Sequence, residues 1–309
     1  METAIISGKG GTGKSSIAAA FATIASNVLI VDCDVDAANL YLLFDPVHEE
    51  EVPFVGSYKA VIEQNKCTQC RICISYCRFD AIYESNGKVI VSETDCDGCF
   101  LCARVCPEQA IFMHKNDNSR MYAGTFRNGR MVYGWLAPGE ENSGKLVHCI
   151  REKAKELAQK HGLAYTILDG PPGVGCPVVS TITGTNNLII VTESSVSALH
   201  DLHRVLELAD SFHLPSMVVI NKSDINPEIT LRIEQICSTK NIEIIGRLHF
   251  DPLFTQAMLH GKSIYEWAPD SASSKELVRM WQTIKTTHLL KQFNTTINST
   301  IQQFNNSTF

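Results

Sequence analysis

The stretch that decides the fold lies close to the start of the chain and reads Gly8-Lys9-Gly10-Gly11-Thr12-Gly13-Lys14-Ser15. It follows an apolar run at residues 4–6 and precedes small and apolar residues at 17–22, which predicts a strand, a glycine-rich loop and a helix in that order. In such a loop backbone N–H groups converge on phosphate oxygens, and the helix start adds its positive end. We therefore expect residues 8–15 to bind a nucleotide, with Lys14 at the β- and γ-phosphates and Ser15 on Mg²⁺.

The pattern of strands and helices in the remainder of the chain predicts a doubly wound α/β fold with an insertion. Strand-like apolar runs lie at residues 28–31, 165–168, 188–191 and 217–220, and helices are predicted at 143–159, 199–212 and 227–237. This alternation indicates one parallel sheet, formed by residues 1–62 and 116–290 and interrupted by residues 63–115. A polar C-terminal tail, residues 291–309, follows and is uncharged from residue 292 onward.

Composition narrows the class of protein. The 309-residue chain has 27 Lys and Arg against 33 Asp and Glu, a net charge of −6, which argues against chain-wide binding to nucleic acid or anionic lipid. The longest apolar run near the start spans residues 17–22, whereas about twenty residues are needed to cross a membrane. The tail has a helical stripe of apolar residues but no basic face, so we expect no stable membrane anchor. With no signal-peptide pattern, a cytoplasmic protein is expected.

The insertion holds eight of the twelve cysteines, in two copies of the spacing C-x2-C-x2-C-x3-C. The copies are Cys67, Cys70, Cys73, Cys77 and Cys96, Cys99, Cys102, Cys106. This spacing is similar to that of bacterial ferredoxins with two [4Fe–4S] clusters, in which the fourth cysteine of each run binds the other cluster. The implied ligand sets are Cys67, Cys70, Cys73, Cys106 and Cys96, Cys99, Cys102, Cys77. A zinc ribbon is the alternative, but it does not predict this run twice. Arg78 stands where proline commonly follows the fourth cysteine.

A second lysine in the loop, Lys9, resembles the deviant phosphate loop of the MinD/ParA/nitrogenase-iron-protein superfamily. The sequence as a whole resembles P-loop ATPases of that superfamily with an inserted two-cluster ferredoxin domain. The resemblance implies that Lys9 crosses a dimer interface to the partner's nucleotide; the alternative is a solvated surface lysine. The partner is a second copy or a related ATPase.

The resemblance also implies roles for side chains at strand ends. Asp32 supports the metal site, Asp34 positions the attacking water, and Asp169 holds Mg²⁺ through water. The turn at residues 170–173 resembles the switch that senses the γ-phosphate. Asn221 lies in the stretch Asn-Lys-Ser-Asp, a pattern that reads guanine in GTPases, but in this class the Asn commonly faces adenine. The resemblance therefore favours ATP, with GTP as the alternative.

These features predict an Mg²⁺-dependent ATPase with Lys9, Lys14 and Asp34 as catalytic residues. ATP-dependent closure of a dimer would be coupled to electron transfer through two [4Fe–4S] clusters, and the client would be a redox enzyme or a metal-cofactor assembly system. One alternative is a cluster or metal carrier that uses Cys149 or Cys176. The other is a positioning switch whose clusters are structural.

Overall fold

The computed structural model describes residues 1–287, so the predicted tail at 291–309 lies outside the described residues. In chain order the strands are β1 (Glu2–Ser7), β2 (Val28–Asp32), β3 (Val47–Phe54), β4 (Ser57–Ile62), β5 (Ile82–Ser85), β6 (Lys88–Val91), β7 (Ile111–Asn116), β8 (Ser119–Phe126), β9 (Gly129–Trp135), β10 (Tyr165–Pro172), β11 (Asn187–Glu193), β12 (Ser216–Asn221) and β13 (Glu243–Arg247).

The helices are α1 (Lys14–Ile24), α2 (Leu40–Phe44), α3 (Ile72–Tyr76), α4 (Leu101–Val105), α5 (Ser143–His161), α6 (Cys176–Ile182), α7 (Val196–Ser211), α8 (Pro227–Thr239), α9 (Leu253–Leu259) and α10 (Ile264–Trp267), followed by helical residues at 272–287. The four helices predicted from the sequence are confirmed as α1, α5, α7 and α8. Helix α7 begins at Val196, earlier than predicted, because the Ser195 side chain caps it by accepting the Ala198 N–H. None of the helices within residues 1–287 is long and apolar enough to cross a membrane.

Nine strands form the central sheet in the order β13-β12-β11-β1-β10-β2-β9-β8-β3. The predicted parallel sheet is confirmed for the seven strands from β13 to β9. The edge differs from the prediction, because β8 runs antiparallel to both β9 and β3. A two-residue connection joins β8 to β9, and such a short turn can only reverse the chain.

Side chains alternate between the two faces of the sheet and build two cores. On one face, Ile6 and Val31 pack with α5, α6, α7 and α8. On the other face, Ile5 and Ile30 pack with α1, α2, α10 and the helix at 272–287. Burial on both faces explains why the central strands read as continuous apolar runs rather than as alternating ones.

Residues 57–116 form a smaller unit with its own sheets and its own core. Strand β4 pairs antiparallel with β7, and β5 pairs with β6 in a hairpin. Ala60, Ile82, Val89 and Ile111 pack there against cysteines of the two runs. The predicted boundaries of the insertion, at residues 63 and 115, fall close to the ends of β4 and β7. The division into domains itself stays a prediction.

Candidate functional site

The glycine-rich loop lies between β1 and α1 and borders a cavity of about 300 Å³. The cavity is lined by Ser7, Gly10, Gly11, Thr12, Gly13, Lys14, Ser15, Ser16, Asp34, Asn39, Pro172 and Met258. The structure thus brings together seven of the predicted nucleotide-site residues with Pro172 of the predicted switch turn. A pocket of this size, at the carboxyl ends of parallel strands and beside a helix start, is suited to a phosphorylated ligand.

Gly13 and Asn221 fix the shape of the loop. Gly13 has φ +90° and is the residue before helix α1, a backbone conformation that glycine adopts without strain. A Cβ at Gly13 would overlap Asn221 Nδ2, which donates a hydrogen bond to the Thr12 carbonyl at 2.8 Å. Asn221 is buried, and its hydrogen bond to Thr12 holds the loop in place. The contact of Asn221 with adenine stays a prediction. Gly8 packs against helix α7, where a Cβ would overlap Asp201.

Lys14 is buried and forms an ion pair with Asp169, with 2.9 Å between Nζ and Oδ1. Burial opposes the charged ammonium, but the Asp169 carboxylate outweighs it, and the pKa of Lys14 is raised overall. The other oxygen of Asp169 and the hydroxyl of Thr12 are buried and have no hydrogen-bond partner in the described part of the chain. Such orphaned oxygens beside a lysine fit a site for Mg²⁺ and phosphate, in which Asp169 would serve the metal and Lys14 the phosphate.

Asp32 and Asp169 are neighbours because their strands, β2 and β10, pair in register at these two residues. Asp32 is fully buried and accepts backbone N–H groups of Asp34, Asn39 and Leu40. Burial first, and the nearby Asp169 charge second, raise the pKa of Asp32 to about 7. Burial also raises the pKa of Asp34, which is half-buried at the cavity wall. A cation would relieve this concentration of negative charge.

Lys9 points away from the cavity, toward the end of strand β11. Its ammonium lies 2.6 Å from Glu193 Oε1 and donates to the hydroxyls of Ser195 and Ser197. Lys222 shares the same carboxylate at 2.8 Å and also donates to the Gly11 carbonyl. No local sequence pattern predicts a role for Glu193 or Lys222. A role for Glu193 could have been predicted only from its place at the end of an apolar strand, because this strand lies next to β1 and the phosphate loop.

The eight cysteines of the small unit line two small cavities. We call these the first and the second cavity. The first is lined by Cys67, Cys70, Cys73 and Cys106, and the second by Cys77, Cys96, Cys99 and Cys102. Each cavity therefore takes three cysteines from one run and the fourth from the other. Apolar side chains such as Ile72, Val89, Phe100 and Met113 complete the two linings.

Several contacts bear on whether these cysteines fit metal clusters. The Ala110 N–H donates to Cys106 Sγ at 3.3 Å, and the Ala60 N–H lies 3.5 Å from Cys96 Sγ, contacts that stabilise thiolate ligands. Burial raises the pKa of Cys102 to about 11 and also that of Cys73, so these thiols must lose protons when they bind metal. In residues 1–287, groups of three or more His, Cys, Asp or Glu are not arranged to hold a single metal ion.

The other four cysteines lie outside the small unit. Cys33 and Cys237 are fully buried in one core of the sheet, where they pack as small apolar side chains. Cys149 is half-buried on α5, and burial raises the pKa of its thiol. Cys176 is exposed at the start of α6. The carrier hypothesis depends on these last two residues.

The fold and the loop together define a class. A parallel sheet with a glycine-rich loop after its first strand, and buried acids paired in register on two neighbouring strands, is the architecture of a P-loop nucleotide-binding protein. The family described as "CobQ/CobB/MinD/ParA nucleotide binding domain" matches residues 3–264. The chain therefore belongs to this family and is a P-loop ATPase of the MinD/ParA type.

Individual relatives agree with this assignment. An uncharacterized protein of Methanocaldococcus jannaschii, MJ0578, is 38% identical over 230 residues, which cover 73% of this chain and 79% of that protein. The septum site-determining protein MinD of Bacillus subtilis is 27% identical over 137 residues, covering 42% of this chain and 51% of MinD.

Solved structures share the fold at low sequence identity. The septum site-determining protein MinD of Pyrococcus horikoshii, in complex with Mg-ADP, has a TM-score of 0.58 at 17% identity, covering 94% of this chain and 98% of that chain. A ParA family ATPase from Chlorobium tepidum TLS has a TM-score of 0.55 at 18% identity, and the match covers 91% of this chain and 98% of that chain.

Proposed function

We propose that this protein is an Mg²⁺-dependent ATPase whose nucleotide state controls electron transfer through two [4Fe–4S] clusters. The observation that carries the proposal is the division of eight cysteines into two cavities of similar size, each with four cysteines. When bound, such clusters accept and donate single electrons at low potential. The client is a redox enzyme or a metal-cofactor assembly system.

The nucleotide site supplies the residues that ATP hydrolysis needs. Ser15 and Asp169 would hold Mg²⁺, with Asp32 beside them, and Lys14 would bind the β- and γ-phosphates. For that purpose Lys14 must exchange its buried partner, Asp169, for phosphate oxygens. Asp34 lines the cavity and would orient the attacking water.

Dimer closure is part of the same proposal. Lys9 is held by Glu193 within its own subunit. To reach a nucleotide in a partner ATPase, Lys9 must leave this carboxylate. The γ-phosphate of ATP would attract the ammonium, whereas ADP lacks that charge, so closure would depend on ATP.

Substitution Lys14→Ala tests whether the nucleotide and cluster functions are separable. We expect it to abolish nucleotide binding, because the phosphates lose their buried ammonium, and to leave the brown absorbance of the clusters unchanged. Equilibrium binding of a fluorescent ATP analogue and the visible spectrum measure the two properties on one sample. Lys160→Ala, at an exposed position on α5, is the control and should change neither. Loss of both properties in Lys14→Ala would contradict the proposal.

A second candidate function is a positioning switch in which the clusters only stabilise the fold. The similarity to MinD and ParA proteins favours this candidate more directly than it favours electron transfer. A reductive titration followed by electron paramagnetic resonance separates the two. Electron transfer requires reversible reduction of the clusters, whereas a structural role predicts none.

The carrier hypothesis differs in iron content. Two [4Fe–4S] clusters hold about eight iron atoms per chain. A carrier would bind an additional labile cluster or metal, involving Cys149 or Cys176. Iron and acid-labile sulfide measured per chain therefore distinguish the carrier from the electron-transfer protein.

A further inference from the structure

Lys59, on strand β4, is a buried lysine next to the second cavity. The residue is 7% exposed, and its Nζ donates to the carbonyl of Cys96 at 2.8 Å and to the carbonyl of Gly139 at 3.3 Å. Both hydrogen-bond acceptors are neutral backbone groups, and within residues 1–287 no carboxylate forms an ion pair with Lys59, although the Glu141 carboxylate interacts with its charge from a greater distance. Burying an ammonium in this way is costly, which points to a role beyond packing.

On one side, β4 holds the chain that carries the ligands of the second cavity. Lys59 binds the Cys96 carbonyl, and the next residue, Ala60, directs its N–H at Cys96 Sγ. The preceding residue, Tyr58, lies against Gly98, where a Cβ would overlap the Tyr58 carbonyl. Three consecutive residues of β4 therefore contact the Cys96–Cys99 turn. Any shift of β4 relative to this turn changes the surroundings of the second cavity.

On the other side, Lys59 contacts the segment at residues 136–142, which links β9 to α5 and which we call the joining loop. Besides the contact of Lys59 with Gly139, Ser57 Oγ donates to Glu140 Oε2 at 3.1 Å. Asn142 Nδ2 donates to the Gly56 carbonyl at 2.6 Å. The joining loop and the start of β4 are thus held together by side chains from both.

The joining loop also leads to the nucleotide site through two helices. It ends where α5 begins, and a Cβ at Gly144 would lie 3.4 Å from Cys176 Cβ at the start of α6. Arg151 of α5 donates to the Ser180 carbonyl of α6 at 2.7 Å. Helix α6 begins at Cys176, and three residues separate it from the end of β10 at Pro172, so the predicted switch at 170–173 covers the end of β10 and the start of this connection. Packed contacts therefore connect the predicted switch to Lys59.

We propose that Lys59 is a positioning residue that makes the reduction potential of the cluster in the second cavity depend on the bound nucleotide. This inference rests on the proposed function, since it requires both clusters. A buried positive charge stabilises the more negative, reduced form of a cluster and so raises its potential. When the joining loop moves with the nucleotide, the distance between the ammonium and the Cys96 turn changes, and the potential changes with it.

The test is a redox titration of Lys59→Met, which keeps the length of the side chain but removes its charge. Protein with both clusters is titrated under ADP and under ATP, in the Asp34→Asn background that slows hydrolysis, and the reduced clusters are followed by electron paramagnetic resonance. In protein with native Lys59, one of the two potentials should differ between ADP and ATP. In Lys59→Met that potential should be lower, and its dependence on nucleotide should be lost.

Two further variants make the outcome decisive. Lys115→Met removes an exposed charge from the same unit and should behave like native Lys59. If Lys59→Met loses iron, Lys59→Gln keeps a hydrogen-bond donor without the charge and is titrated instead. The role of Lys59 would be overturned if the Lys59 variant binds about eight iron atoms per chain and both its reduction potentials and their dependence on nucleotide equal those of the protein with native Lys59. Failure of native protein to bind about eight iron atoms would instead overturn the proposed function.

Discussion

At the scale of single residues, the nucleotide site is a set of buried charges that are balanced incompletely. Lys14 neutralises Asp169, whereas Asp32 accepts hydrogen bonds from three backbone N–H groups, which carry no full charge. Burial therefore raises the pKa of Asp32 to about 7, so this carboxyl group is close to half-ionised at neutral pH. The site is prepared for a cation, because Mg²⁺ would favour the ionised form of both carboxylates.

We expect the protein free of nucleotide and Mg²⁺ to lose stability as pH rises from about 5 to 7. An aspartate in the unfolded chain ionises near pH ~4, whereas Asp32 in the folded chain keeps its proton to about pH 7. Between these values the folded state binds one proton more, so the free energy of unfolding falls by up to about 1.4 kcal/mol per pH unit. Denaturant midpoints measured across this range give the slope.

The matched variants for this prediction are Asp32→Asn and Asp36→Asn. Asp32→Asn should flatten the slope, although its absolute stability falls because one acceptor for a backbone N–H is lost. Asp36 is exposed, and its substitution should leave the slope as it is. A wild-type slope in Asp32→Asn would show that another group is responsible.

At the scale of elements, the ends of neighbouring strands bring the site together. Strand β1 leads into the phosphate loop, β2 ends in Asp32, and β10 places Asp169 in register beside Asp32. Strand β11, on the other side of β1, ends in Glu193, which holds both Lys9 and Lys222. One carboxylate thus links the phosphate loop to the loop that follows β12.

Glu193→Gln tests whether this carboxylate keeps Lys9 from a partner subunit. The substitution weakens the hold on Lys9, and we expect ATP-dependent dimers to form at a lower protein concentration. A partly exposed ion pair contributes about 1 kcal/mol, so the change should be roughly fivefold. Sedimentation velocity with ATP and the Asp34→Asn substitution measures it. Glu207→Gln, at an exposed site on α7, is the control, and weaker dimers in Glu193→Gln would refute the idea.

At the scale of the whole molecule, two units with separate cores share one chain. The central sheet has a core on each face, and the cysteine-rich unit has a third core of its own. The strands of the small unit pair with each other and not with the central sheet. We therefore expect that the proposed clusters can bind to the small unit, or leave it, without unfolding of the ATPase sheet.

Two cysteine substitutions examine this independence. Cys70 and Cys99 are both exposed and lie in different cavities, so alanine at either position removes a ligand with little loss of packing. Each variant should keep about half of the iron, and each should lose the redox signal of a different cluster. The affinity for ATP should stay within about twofold in both. Loss of ATP binding in either variant would contradict separate units.

Much of this organisation follows from local sequence. The phosphate loop requires glycine where φ is positive, as at Gly13, and a lysine at the helix start, and both needs are met within eight consecutive residues. The buried strands are readable because burial on both faces demands continuous apolar runs. The cysteine spacing likewise reflects short-range geometry, and the two cavities contain the ligand sets that the spacing implied.

Tertiary structure alone decided the contacts between distant segments. The ion pair of Lys9 with Glu193 and the contacts of Lys59 with Cys96 and Gly139 join residues that carry no local pattern. The antiparallel edge also depends on tertiary structure, because β8 pairs with β9 on one side and with the distant strand β3 on the other. Local motifs are readable because the backbone must adopt one shape to serve them, whereas a single charged side chain finds its partner only after the chain has folded around it.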